Sequence, residues 1–478
     1  MPNPDHILLL KSAEWNEWRR KNINVTPDLT DADLAGLDLT GRDLKRADLS
    51  RADLSRTTLA GTDFSRATLA DTRFTGASGP GAIFEHCNLD GLDFSKLFLA
   101  GARFRQASMQ RCGLGGADLA GADFTFTKLE GADLSGANLA GATMVEVAFR
   151  GVKTAKTHFD GADLSRSLFE GVAAVRGSFP NCNFAKANLK SADFSGSDLR
   201  RAKFHGAILR QTGLNSADCE RADFTEADME LASCIETNFT GAKFDKAKVR
   251  KAELRRAVFL DAIGEDVSFA EAKLNEVDLR GAKFTSANLQ GADLTKANLS
   301  HISLKAYSFA GARFQNADVS EAQGEGTNFR RADLSLGNFR QGHFKRADFT
   351  ECRGFDADLS GTMLVGADFT GAMLEEADLR FARAIGANFT RANLGGADLA
   401  NADFSEAVFK KTKVWGATAR KAKAPSGKGL VFSLSTMFSK AKQKKEKTTV
   451  DKEKARQKRI AQLEAQADKM PPHRTGRK

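Results

Sequence analysis

The chain has 478 residues, 41% of them hydrophobic, with one Tyr, 3 Trp and 8 Pro against 42 Gly and 35 Phe, a repetitive usage far from that of an average globular domain. The formal net charge of +10 resides in the C-terminal part: residues 425–478 hold 15 basic and 5 acidic side chains, and residues 1–424 hold 56 of each. This balance weighs against a mechanism that needs one overwhelming sign of charge on the main body. No N-terminal stretch has the order of a signal peptide, and apolar runs such as Ile7 to Leu10 are too short to span a bilayer, so a cytoplasmic protein is the expectation.

The first predicted element runs from Asp5 to Asn22, where Ile7, Leu8, Leu10, Trp15 and Trp18 stand among charged residues as in an amphipathic helix. With the leader that follows, residues 1–28 are expected to cap what comes next. From Leu29 an apolar residue recurs every five positions, at Leu34, Leu39, Leu44, Leu49 and Leu54, and continues to Phe404, Phe409 and Val414 without an inserted or deleted residue. Two positions before each stands a small residue, usually Ala, and the other three are mostly polar. A period of five fits neither helix nor strand, so the span must be a coil with regular corners.

The phenylalanines show how many pentads make one turn. Of the 29 Phe at the central position, 11 share the register of Phe64, Phe84, Phe104 and Phe124, and 9 share that of Phe309, Phe329, Phe349, Phe369, Phe389 and Phe409. Spacing of twenty residues implies four pentads per turn with like rings stacked along the axis. The six cysteines obey the same pattern. Cys87, Cys112, Cys182 and Cys352 take the small slot and Cys219 and Cys234 the central one, so inert packing is expected rather than disulfides or metal binding. No Trp falls inside the repeats, as expected of a narrow core, and the two prolines among them, Pro80 and Pro180, each directly follow a central position. Gly79, Thr154, Gly264, Gly324 and Gly354 replace the central apolar residue and Tyr307 replaces the small one, which predicts local repacking.

A small residue, Asp or Asn, Leu or Phe, then two polar residues, sustained over 78 pentads, resembles the motif of the pentapeptide-repeat family. Trp15-Asn-Glu-Trp-Arg19 followed by Pro27-Asp-Leu29 resembles the leader that precedes the repeats in many members. The resemblance implies an all-β solenoid, a right-handed quadrilateral parallel β-helix. At four pentads per coil, residues 29–419 would form about 19 to 20 coils and a rod about 90 Å long. The resemblance also implies that binding of a type II topoisomerase, with gyrase protection and quinolone resistance through mimicry of duplex DNA, is one function open to the chain.

Two surface features are candidates for contacts. Met363, Val365, Phe381 and Ile385 should face outward together on successive coils, either to dock a partner or to pack against the C-terminal segment. Lys246, Lys248, Arg250, Lys251, Arg255 and Arg256 precede Asp261, Glu265, Asp266 and Glu271, a mixed-charge stretch read as solvated. Residues 420–439 read as a linker followed by a short apolar segment, Leu430 to Phe438, a cap or docking peptide. Residues 440–478 form a helix-prone or disordered basic tail with Lys440, Lys442, Lys444, Lys445, Lys447, Lys452, Lys454, Arg456, Lys458 and Arg459.

Catalytic chemistry is absent from the pattern. The seven histidines are scattered, aspartates recur because the pentad repeats them, and no phosphate loop, dinucleotide fingerprint or nucleophile elbow is present. The expectation is a non-enzymatic scaffold without cofactor that presents a long polar surface to a protein partner. The tail tethers or recruits, or binds nucleic acid or an anionic membrane surface. Uncapped coil ends would allow an end-to-end homodimer.

Overall fold

The computed structural model describes residues 3–423, 457–458 and 461–462. The chain divides into two compact units, Met1–Glu253 and Leu254–Lys478, built on the same pentad plan. In each unit residue i pairs in parallel with residue i+20, as in Asp48 with Thr68 and Asp368 with Asn388, so four pentads make one coil.

Hydrogen bonds in one pentad, Ala52 to Arg56, account for the motif. The Ala52 N–H closes a turn onto the Leu49 carbonyl at 2.9 Å. The Asp53 N–H reaches down one coil to the Ala32 carbonyl, and the N–H groups of Leu54 and Arg56 reach up to the carbonyls of Arg73 and Thr75. Only the Ser55 N–H has no backbone acceptor, and it donates to Asp53 Oδ1 at 2.9 Å. A polar backbone group left unpaired is costly, so the Asp or Asn before the central residue completes the set of five donors. The same bond recurs at Asp133, Asp193, Asn298 and Asp403. Pro80 and Pro180 sit where that N–H would be, and therefore remove a donor that the backbone never uses.

Each corner is a four-residue turn whose third residue has positive φ, as in a type II turn. Gly fills many of these positions, but Arg56 (φ 58°), Lys246 (φ 56°) and Glu351 (φ 57°) adopt the same conformation. With two of every five residues in a turn, little remains to pair. The sides therefore appear mostly as isolated bridges rather than as the extended strands a β-helix suggests. Among the described residues only five strands, each of two residues, form: β1 (Ile263–Gly264), β2 (Val267–Ser268), β3 (Lys283–Phe284), β4 (Ala287–Asn288) and β5 (Tyr307–Ser308). β1 pairs with β3, and β4 lies between β2 and β5, all in parallel.

The central residues fill the core, nearly all fully buried, each contributing roughly 1.5 to 3 kcal/mol before entropy. Phenylalanines stack as their spacing predicts. Phe64 and Phe84 lie 5.0 Å apart and 3° from parallel, and successive rings from Phe309 to Phe409 are 4.6 to 5.3 Å apart. Most hydroxyls and thiols in the small slot find a carbonyl one coil below: Thr62 donates to Leu39, Thr212 to Leu189, and Cys112 to Leu89 at 2.8 Å. All six cysteines are free and buried. Burial pushes the thiols of Cys87, Cys112 and Cys182 up to about 12, so they are poor nucleophiles at neutral pH. Where glycine replaces a central residue, a side chain from the next coil takes the space. The Phe344 ring leans over Gly324 and Leu374 over Gly354.

At the N-terminus the structure has two helices where the hydropathy pattern suggests one: α1 (Pro4–Lys11) and α2 (Trp15–Lys21). Ser12 divides them, its hydroxyl donating to the Leu9 carbonyl and accepting the Glu14 N–H. α2 lies on the first coils. Trp15 Nε1 donates to the Asp43 carbonyl at 2.8 Å, and Asn16 bonds both Gly41 and Asp43. Arg19 is buried and donates to the carbonyls of Val25 and Lys45.

Candidate protein-docking surface

The four apolar residues singled out in the sequence lie in unit 2, on the side of the coil whose central residues are Leu364 and Ala384. Met363 pairs through its backbone with Arg383, one coil above. Val365 and Ile385 occupy equivalent positions in those coils, their carbonyls accepting the N–H groups of Arg346 and Gly366. All three apolar side chains are half-buried. Phe381 stands at the preceding corner with φ 60° and 61% of its surface exposed. The four residues thus lie on two successive coils.

Phe381 is the informative member. A bulky residue in the left-handed region is an outlier on conformational grounds, at about 1 to 2 kcal/mol, and here its ring packs mostly into water. Phe126 (φ 59°) and Leu231 (φ 61°) stand at equivalent corners, 45% and 50% exposed, and Phe381 exceeds both. Next to it Arg380 grips Asp378, with Nε 2.9 Å from both carboxylate oxygens, and Arg380 also lies 3.9 Å from Asp398. An apolar centre with a charged, hydrogen-bonded rim has the make-up of a protein contact.

The other charged candidates are dispersed. Arg250 pairs with Glu230 at 3.8 Å in unit 1, and Arg256 with Glu276 at 2.9 Å in unit 2, in keeping with a solvated mixed-charge surface. Of the ten basic tail residues only Lys458 lies among the described residues, exposed within a helical pair; Lys440, Lys442, Lys444, Lys445, Lys447, Lys452, Lys454, Arg456 and Arg459 lie outside them, as does Leu430 to Phe438. Among the described residues no cluster of three or more His, Cys, Asp or Glu is placed to hold a metal ion, and no helix is long and apolar enough to cross a membrane.

The aspartates that might suggest acid–base chemistry are engaged in turns and ion pairs. Asp53 Oδ2 accepts from Arg73 one coil above at 2.8 Å while Oδ1 holds its own turn. The Ser405 hydroxyl and N–H, with Lys423, hold the Asp403 carboxyl down at about 2. Both stay ionised at neutral pH and serve the coil.

The model of the family described as pentapeptide repeats matches overlapping stretches from 28–69 and 59–95 through 132–172, then 178–215, 217–256, 265–300, 308–346, 355–391 and 387–423. The chain belongs to the pentapeptide repeat family. Breaks between the matched stretches include 257–264, 301–307 and 347–354, where Gly264 and Tyr307 interrupt the motif and Gly354 closes the last break.

Among solved structures, this pentapeptide repeat chain is similar to HetL, a pentapeptide repeat protein involved in heterocyst differentiation regulation from Nostoc sp. strain PCC 7120. The identity is 22% over 53% of this chain and 88% of that one, with a TM-score of 0.17. It is similar to QnrB1, a plasmid-mediated fluoroquinolone resistance protein, at 20% identity over 50% of this chain and 86% of that one, TM-score 0.18. A pentapeptide repeat protein of the Arabidopsis thaliana thylakoid lumen shares 25% identity over 29% of this chain and 66% of that one, TM-score 0.12. The curated proteins give no match.

Met373, Val408 and Trp415 add exposed apolar surface to unit 2 that the central-position pattern does not flag. Their signal is positional. Apolar residues outside the small and central slots must face outward, and the same test applied to phenylalanine selects Phe98, Phe126, Phe355 and Phe381 within the coil.

Proposed function

We propose that this chain is a non-enzymatic interaction protein of the cytoplasm, a right-handed four-sided coil that holds out polar faces to a protein partner. The patch of Met363, Val365, Phe381 and Ile385 is the contact, and the basic tail tethers or recruits. The observation that supports this reading is Phe381, exposed at a corner where glycine would cost less. Replacement by glycine fits the local backbone, so it separates binding from folding.

The test is affinity capture from the native cell with the full-length chain, its Phe381→Gly variant and a chain ending at Lys423. Loss of the captured partner in Phe381→Gly, with thermal unfolding unchanged or raised, supports the patch. Equal capture by that variant refutes it.

A second reading rests on the 15 basic and 5 acidic residues of 425–478, whose charge suits phosphate groups of nucleic acid or anionic lipid. Binding of this kind weakens steeply with salt and disappears with the tail. Mimicry of duplex DNA needs an acidic coil, and equal numbers of acidic and basic side chains in residues 1–424 give no such excess. A gyrase supercoiling assay tests it directly, and inhibition at micromolar protein would revive it.

A further inference from the structure

Arg353 in unit 2 lacks a partner that similarly placed cations have. In three places a cation pairs with an Asp one coil below it, both in the position before the central residue: Arg73 lies 2.8 Å from Asp53, Lys153 3.3 Å from Asp133 and Lys423 3.0 Å from Asp403. Arg353 stands above Asp333 in the same way, their backbones bridged in parallel. Yet Arg353 is exposed and makes no ion pair among the described residues.

The reason stands 18 residues before the Asp, on the coil beneath it. That position holds Ala35, Gly115 and Ile385 in the three paired cases, whose side chains offer no hydrogen bond. Before Asp333 it holds Gln315, only 5% exposed, whose Nε2 donates to Asp333 Oδ2 at 2.9 Å. Asp333 Oδ1 accepts the Ser335 N–H at 3.1 Å, so both carboxylate oxygens are engaged without Arg353. Gln315 Oε1 is left buried without a hydrogen-bond partner. One substitution in the pattern thus leaves a cation without an anion and an acceptor without a donor, and the second is costly out of water.

Gln315 and Arg353 line one groove of about 860 Å³, together with Asp333, Arg331, Glu351 and Met373 among others. Its volume falls within the roughly 300 to 1,000 Å³ of sites that hold small ligands. Arg331 is held by Glu351 at 2.6 Å. Met373, 40% exposed, is bridged to Arg353 from one coil above. Going up the coil, the groove offers an acceptor, a cation two coils higher and an apolar side chain one coil beyond, a span of roughly 14 Å at the usual spacing of stacked backbones.

We propose that this groove binds an extended acidic peptide of about four residues, with an Asp or Glu carboxylate on the Arg353 guanidinium, a backbone N–H on Gln315 Oε1 and an apolar side chain on Met373. A planar guanidinium takes a carboxylate through two parallel hydrogen bonds, which fixes the direction of the peptide as well as its charge. Phe381 stands at a different corner of the coil, so this site does not depend on that contact.

The test follows the methyl resonance of Met373 in the full-length chain labelled with ¹³C-methyl methionine, assigned through Met373→Leu, while the peptide acetyl-Leu-Ser-Asp-Ser-amide is added. The expected result is a saturable shift with a dissociation constant on the order of 1 mM. Binding should be at least about tenfold weaker when Asn replaces the Asp of the peptide, and likewise in the Arg353→Gln and Gln315→Ala variants. Gln315→Ala supplies the small side chain that Ala35 provides beneath Asp53, so Arg353 should close onto Asp333 with the circular dichroism spectrum unchanged. Phe381→Gly should bind as the native chain does, which keeps this outcome distinct from that of the docking surface. No shift of Met373 at about 10 mM peptide, equal binding by Arg353→Gln, or a response confined to a peptide with phosphoserine in place of Asp would overturn the proposal.

Discussion

Asp53 shows why a carboxylate or carboxamide recurs before the central residue: one side-chain oxygen completes the backbone's hydrogen bonding. This gives a pH dependence with a defined sign. The Asp403 carboxyl, held down at about 2, favours the folded coil above its ordinary value near 3.9 and loses that contribution as pH falls from about 4 towards 2. Acid should therefore lower the urea midpoint of unfolding within that window. Asp403→Asn should keep the turn, since Asn138 already accepts from the Ala140 N–H at 3.2 Å, and should be less sensitive to acid than the native chain. Tyr307 is the opposite case. Sequence marks it as a large residue in the small slot, but not that its hydroxyl would be buried with only the Phe284 backbone within reach and no hydrogen bond of good geometry. Tyr307→Phe should raise stability by about 1 kcal/mol, read as a higher urea midpoint; a lower midpoint would mean that the hydroxyl is satisfied in solution.

At the scale of elements, α2 covers a coil edge whose backbone would otherwise be open. Trp15 is fully buried there and its indole bonds the Asp43 carbonyl. Trp15→Ala should weaken the cap by about 3 to 5 kcal/mol, enough to expose the edge in part of the population. Light scattering after size-exclusion chromatography should then show mass that rises with concentration, whereas the native chain holds a constant mass over the same range. The division between α1 and α2 was not legible in hydropathy, because the apolar positions from Ile7 to Trp18 suit one helix. Ser12 breaks it through two local hydrogen bonds that no periodicity reveals.

On the scale of the whole molecule, period and phase were legible because each inward residue repeats at an unvarying interval and the phenylalanines repeat at four times that interval. Exposure of the outward faces was less so. The left-handed corner at Phe381 and the burial of Phe355 depend on how coils and side chains settle. The repeat makes the effect of deletions predictable. Removing Arg330 to Phe349, twenty residues, keeps every later residue on its own side and brings Phe369 over Phe329. Circular dichroism and the melting temperature should change little. Removing Arg330 alone turns each later Leu and Phe away from the core, and cooperative melting of unit 2 should be lost.

The corner residues carry a consequence for how such a molecule can change. Arg56, Arg111, Arg176 and Arg221 each lay a side-chain stem alongside the glycine at the same corner one coil up, at 3.3 to 3.4 Å from where a Cβ would stand, and all four are exposed. Their charge is thus set apart from the packing that keeps the chain folded. Substitutions confined to corners could recolour the electrostatic exterior from neutral to acidic or basic while the interior stays the same, so that recognition and architecture evolve on separate residues.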